Sequence, residues 1–255
     1  MKKNAKMLSA VLLSIGLMAF SYGFMYEEPQ CNTVASDEKE VVEVDFFYDL
    51  GPRYDPITKQ FLNEVVRVTE FNTPEENQRI VTLKSTELIF IENDKQTNIR
   101  FKGESEMLTE AQLAFLHSAQ YSSCFLVRTE FYSQNPVTGE AEFNYYSPHL
   151  TVVPEKQAVY KAGKEKLLAY FAKNNKENTL NLDEKKLRPA KLYFTVDKTG
   201  QITNVKLDRT SGYADIDDTM IDLLTHLEGD WEAAENEKGE KVDQELAISF
   251  GMLGC

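Results

Sequence analysis

The sequence predicts an α+β protein: a small antiparallel sheet with two helices at the C-terminal end, preceded by a separate domain of mostly β or α+β character. Three observations predict it. Lys191–Asp197 alternates at the period of a half-buried strand, with Leu192, Phe194 and Val196 on one face. Ile216, Met220, Leu223, Leu224 and Leu227 recur at helical spacing and make one apolar stripe. Leu246, Ile248 and Phe250 alternate again in a last strand, Val242 to Phe250, with Glu245, Ala247 and Ser249 facing outward.

A chain of 255 residues divides most naturally into two domains. Its 42% apolar and 27% charged residues are those of a globular protein, not a disordered one. The formal net charge is −13, and setting aside Lys2, Lys3 and Lys6 leaves −16 on the remainder. A surface that acidic repels nucleic acid and anionic lipid, so neither is an expected partner.

From the N-terminus, three lysines precede an apolar run, Met7 to Phe20, and Ser21-Tyr22-Gly23 offers small residues for cleavage. Residues 1–23 are therefore read as a signal peptide. An uncleaved anchor is the alternative, since Met7 to Tyr26 is just long enough to span a bilayer. Either way the bulk of the chain is expected to be exported: periplasmic, or anchored in the inner membrane facing the periplasm. Glu27-Glu-Pro-Gln30 separates Cys31 from the apolar run, which argues against a lipidated cysteine. Residues 24–40 read as a linker.

Three cysteines are an odd count for an oxidising compartment. Cys124, within Cys124-Phe-Leu-Val127, reads as a buried thiol. Cys31 and Cys255 flank the folded part and are a candidate disulfide.

The first domain spans 41–153. Val44, Phe46 and Tyr48 alternate as a strand. Asp55-Pro56 reads as a helix start with Pro at its first position, and Pro74 as the close of that region. Arg79–Lys84, Glu87–Glu92 and Asn98–Lys102 read as short strands, the last two joined at Asn93-Asp94. Thr109 with Gln112 makes a capping box. Phe125–Tyr132 and Phe143–Tyr146 read as a hairpin. Phe143 and Tyr145 share a face, and core packing explains them more simply than a binding stripe.

The second domain spans 156–255. Ala158–Asn174 reads as a helix with Leu167, Leu168 and Phe171 as its stripe. Lys198-Thr-Gly200 turns the chain between Lys191–Asp197 and Ile202–Leu207, where a slip in spacing suggests a bulge. Asp215 can cap the following helix and Gly229 can close it. Trp231, the only tryptophan, reads as a core plug together with Phe194, Val196 and Met220.

This order of residues resembles the C-terminal domain of TonB-like proteins. The likeness rests on Ala158, Tyr160 and Gly163, then Phe194-Thr-Val-Asp-Lys-Thr-Gly200, Ile202–Leu207, Ser211-Gly212, Asp217, Trp231 with Ala233-Ala234, and Ile248-Ser-Phe250. Ala233 stands where the family usually has Pro. The resemblance implies a protein-binding module linked to outer-membrane transport, in which a partner's extended segment adds beside the last strand by pairing with its free backbone groups. Transferred here, the edge is Val242, Gln244, Glu245, Leu246, Ala247, Ile248, Ser249 and Phe250. Two departures argue against coupling to the proton gradient: no His precedes His117, and the 8 prolines form no spacer. A periplasmic structural or assembly protein is the alternative.

Catalytic chemistry is not signalled. His117, His149 and His226 lie far from one another, and no nucleophile elbow, phosphate loop, zinc-binding or Cys-x-x-Cys pattern occurs. Asp215, Asp217 and Asp218 cluster at a helix start, where the dipole accounts for them without a metal. The expectation is a non-enzymatic protein with neither cofactor nor metal, binding proteins of the cell envelope.

Overall fold

The computed structural model describes residues 45–253. The targeting segment, the linker, the start of the first alternating stretch, and Cys31 and Cys255 lie outside them. The chain gives β1 (Phe47–Gly51), β2 (Asp55–Thr58), α1 (Lys59–Glu64), a 3-10 turn (Val68–Phe71), α2 (Pro74–Arg79), β3 (Thr82–Glu92), β4 (Lys95–Gly103), α3 (Glu110–Ser118), β5 (Cys124–Gln134), β6 (Ala141–Tyr146) and β7 (His149–Val153). It continues with β8 (Val159–Tyr160), α4 (Lys164–Asn174), β9 (Pro189–Val196), β10 (Ile202–Arg209), α5 (Ala214–Thr225), β11 (Trp231–Glu232), β12 (Ala234–Glu235), β13 (Lys241–Val242) and β14 (Gln244–Gly251). The class is α+β, as the alternations and stripes predict.

One sheet has the order β2-β7-β5-β3-β4, and β6 pairs with the remainder of β5. Asn93 and Asp94 turn β3 into β4 with φ of +49° and +58°, the paired left-handed geometry a two-residue hairpin requires. The capping box forms as expected: Gln112 N donates to Thr109 Oγ1 at 3.3 Å, and Thr109 N donates to Gln112 Oε1 at 2.9 Å. Gln112 can be fully buried because its amide also donates to Thr86 Oγ1 and the Phe101 carbonyl. Leu62, Leu88, Leu116, Phe125 and Val127 centre the core beneath this sheet.

Three local expectations are corrected. Asp55-Pro56 is strand, because β2 pairs in parallel with Leu150–Val153; the helix starts at Lys59, with Thr58 Oγ1 accepting from Phe61 N. Pro74 opens a helix rather than closing a region, with Thr73 as its cap. The two short strands through Glu92 are one strand, β3, interrupted by a register shift between Leu83 and Ser85.

The second sheet has the order β1-β14-β9-β10. Its outermost strand, β1, therefore comes from the 41–153 range. Leu192, Phe194, Val196, Leu246, Ile248 and Phe250 face Leu167 and Phe171 of α4 and Ile216, Met220 and Leu224 of α5 in one core. The expected bulge lies between Thr203 and Lys206, where Asn204 has φ +55°. Helix α4 is shorter than the expected Ala158–Asn174: Val159–Tyr160 pairs with Trp231–Glu232 instead, and Gly163 precedes the first turn.

Helix α5 begins at Ala214 without a side-chain cap, so Asp215 is not its N-cap. Asp217, buried, accepts from Thr210 Oγ1 and from Ser211 N in the loop before the helix. Gly229 is not the residue that closes α5, which ends at Thr225 with His226 at its cap. At φ +128°, a Cβ on Gly229 would lie 2.4 Å from the Tyr160 hydroxyl oxygen, so close approach explains the glycine. Trp231 is 5% exposed, its ring 5.5 Å from both Phe194 and Tyr160, which is the core position expected of it.

Candidate functional site

The last strand is not an open edge. β14 pairs with β9 along all 8 of its residues, and on its other side Ala247–Gly251 pairs antiparallel with Phe47–Gly51. The residues expected to receive a partner are otherwise engaged. Leu246, Ile248 and Phe250 lie in the core. Gln244 is buried and accepts from Ala158 N at 2.7 Å, while Val242 belongs to β13 and pairs with Ala234. Ala247, read as outward, is only 3% exposed, and Glu245 and Ser249 are half-buried. The physical reason is that both the edge and the second face of this sheet are covered by the first half of the chain.

β1 supplies the edge cover. Phe46, Tyr48 and Leu50 pack against the C-terminal core, and Asp49 pairs with Lys164 of α4 at 2.6 Å. Burial raises the Tyr48 phenol to about 12, with Asn175 opposing. Among the described residues β1 pairs only with β14, so its outer backbone groups remain available. Beside β1 lies a groove of about 690 Å³ lined by Asp45, Phe46, Tyr48, Lys173, Lys176 and Leu180. Lys173 and Lys176 are exposed along it. The opposite edge, β10, is poorly suited to pairing: its bulge breaks the register, and Lys206, Asp208 and Arg209 are exposed along it.

A charged cluster covers the second face. Arg53 lies 3.9 Å above the Tyr193 ring and donates to Asp94 at 2.9 Å. The Tyr54 hydroxyl donates to the same carboxylate oxygen at 2.8 Å, and Arg209 approaches its other oxygen at 4.0 Å. Burial pushes the Asp94 carboxyl up, but the bonds from Tyr54 and Arg53 outweigh it and hold the group below the usual range. Lys191 is pushed down by burial and by Arg209. Tyr193, 4% exposed, is pushed well up by burial. Ser122 Oγ adds an acceptor for Glu245 N at 3.3 Å, and burial raises the Glu245 carboxyl. Arg53 and Asp94, joined by the Tyr54 hydroxyl, thus tie the first sheet to the second.

The remaining candidates have structural places. His226 Nδ1 lies 2.9 Å from Asp222 Oδ1 and 3.1 Å from its carbonyl at the end of α5. His149 packs on Tyr54, and the His117 carbonyl accepts from Lys59 Nζ at 2.7 Å. Cys124 is a buried free thiol, pushed up by burial. Among the described residues no group of three or more His, Cys, Asp or Glu could hold a metal ion, and no helix is long and apolar enough to cross a membrane.

One sequence reading is reversed. Phe143 and Tyr145 do not pack in a core; they are 46% and 59% exposed. Lys84 Nζ lies 4.8 Å above the Phe143 ring, and the Arg128 guanidinium 4.7 Å above that of Tyr145. Their shared strand face was readable from the alternation, whereas nothing in the sequence says which face of a sheet receives helices.

Comparisons with protein families, with curated proteins and with solved structures return no match.

Proposed function

We propose that the chain is an exported, non-enzymatic envelope protein whose C-terminal, TonB-like sheet binds an extended segment of a protein partner by strand addition. The observation that carries the reading is β1 itself. The outer side of β14 already holds a strand supplied from the far end of the described chain, antiparallel and in register over Ala247–Gly251. The geometry that β-augmentation needs is thus realised within the molecule. The receiving edge is the outer side of β1, above the groove that carries Lys173 and Lys176. Those lysines favour a segment with acidic side chains. A protein of the cell envelope, outer-membrane transporters among them, is the partner class that the TonB-like resemblance implies.

A second reading, a periplasmic structural or assembly protein uncoupled from the proton gradient, is favoured by one observation. A folded six-stranded sheet stands where a transducer of this kind would have a Pro-rich spacer. Both readings use the same edge.

A photo-crosslinking residue placed at Lys176, and separately at Lys206 on the β10 edge, tests the proposal in envelope preparations. Adducts from position 176 that map by mass spectrometry to one extended segment support strand addition at β1. Adducts only from position 206, or from neither, would overturn it. Mass spectrometry of the mature N-terminus separates a cleaved, periplasmic chain from an anchored one.

A further inference from the structure

We propose that the open face and edge of the β5–β6 hairpin form a second binding surface, which takes an acidic extended polypeptide segment as an added strand beside β6. The surface is separate from the groove at β1 and does not rest on the function proposed for it.

Among the described residues β6 pairs only with β5, so the outer backbone groups of Ala141–Tyr146 are available to a partner. Exposed apolar side chains gather there. Tyr132 meets Phe143 edge-on at 6.0 Å, Tyr145 follows on the same face, and Val81 lies beside a groove of about 470 Å³ that Tyr132, Gln134 and Ala141 also line. A side chain on a strand added beside β6 would stand about 5 Å from these rings. The groups held over the rings are both cations, Lys84 and Arg128.

The carboxylates of the hairpin are occupied: Glu130 accepts from Ser85 Oγ at 2.8 Å and from Arg128 at 3.0 Å, which holds it below its usual range, and Glu142 of β6 accepts from Asn135 Nδ2 at 2.6 Å. Lys84 forms no salt bridge among the described residues, although its charge helps to hold Glu130 down. Farther across the face Arg100 and Lys102 share Glu87, with Glu104 beyond. An incoming acidic side chain therefore finds an unpaired ammonium beside an aromatic platform, on a chain whose net charge is −13. That platform would suit stacked bases as well, but bases leave the outer backbone groups of β6 unpaired, which a peptide strand satisfies. The free strand edge favours a peptide over a sugar chain.

The test uses the full chain and two labelled peptides of about ten residues, one alternating Glu and Val and the other Lys and Val, read by fluorescence anisotropy. The Glu peptide is expected to bind at least about tenfold more tightly than the Lys peptide. The double variant Phe143→Ser/Tyr145→Ser, and separately Lys84→Glu, should each weaken it by about tenfold or more while the circular dichroism and melting curve stay those of the parent. Lys173→Glu/Lys176→Glu, at the groove of β1, is the comparison: loss of the Glu peptide in that variant with retention in the Phe143→Ser/Tyr145→Ser variant would place the peptide at β1 and overturn the proposal. Equal binding of the two peptides, no binding at millimolar concentration, or full retention in the double variant would overturn the proposal. So would a dimer of the parent chain that the double variant dissolves, which would assign the face to a second copy, or preferential binding of a neutral oligosaccharide or an oligonucleotide.

Discussion

Trp231 is the residue on which the C-terminal core closes. It is buried against Phe194 and Tyr160, and a Cβ on Gly200 (φ +82°) would meet its carbonyl oxygen at 2.6 Å. Trp231→Ala should lower stability by about 3–5 kcal/mol, measured by urea denaturation. A variant within about 1 kcal/mol of the parent would mean that the ring is not buried. Glu245 carries the opposite kind of prediction. Its folded carboxyl titrates above the unfolded one because of burial, with Arg53 and Lys206 opposing. The cost of keeping it ionised is therefore fully present above the folded pKa and absent below the unfolded one. Glu245→Gln should raise the melting temperature at neutral pH and make no difference near pH 3; destabilisation at neutral pH would contradict this. Trp231 and Gly200 were legible in the sequence because each acts on close chain neighbours or on an evident apolar face. Arg53 and Asp94 were not, because the partners lie 41 positions apart and charged residues read as solvated until the fold brings them together.

At the scale of elements, apolar periodicity located β9, β10, α5 and β14, and the capping box located α3. Periodicity fails where pairing overrides local signals, as at Asp55-Pro56, where parallel pairing to β7 holds a Pro-containing stretch extended. It also says nothing about neighbours. The alternation of Leu246, Ile248 and Phe250 is the same for an edge strand and an interior one, so alternation alone puts the candidate edge one strand too far inward. Proline separates the two cases. With β14 paired on both sides over Ala247–Gly251, Ala247→Pro and Ser249→Pro should both destabilise, by at least about 1–3 kcal/mol for a lost buried bond. On β1 the backbone donors alternate between β14 and the unpaired side, so one of Tyr48→Pro and Asp49→Pro should melt much closer to the parent than the other. Equal, severe losses at both β1 positions would mean that β1 is itself covered on its outer side.

At the scale of the whole molecule, two sheets with separate apolar cores meet through a small polar cluster, with Arg53, Tyr54 and Asp94 over Tyr193. Asp94 titrates below its unfolded value, so its contribution is present above about pH 4 and lost as the pH falls through the folded pKa. Asp94→Asn should cost about 1–2 kcal/mol at neutral pH, allowing for partial exposure, and little in acid. Thermal melts of parent and variant from pH 2 to 7 measure it, and parallel curves displaced by a constant amount would contradict the ionic account.

The C-terminal sheet carries β1 as an added strand, so that β14 is interior and, among the described residues, the open edge is the outer side of β1. Amide hydrogen exchange of the full chain, resolved residue by residue by NMR, tests it most directly. The amides of Ala247–Gly251 should exchange as slowly as those of β9, while those of Phe47–Gly51 alternate between protected and fast. Fast, alternating exchange in Ala247–Gly251 with no protection in Phe47–Gly51 would contradict the claim and return the open edge to the last strand.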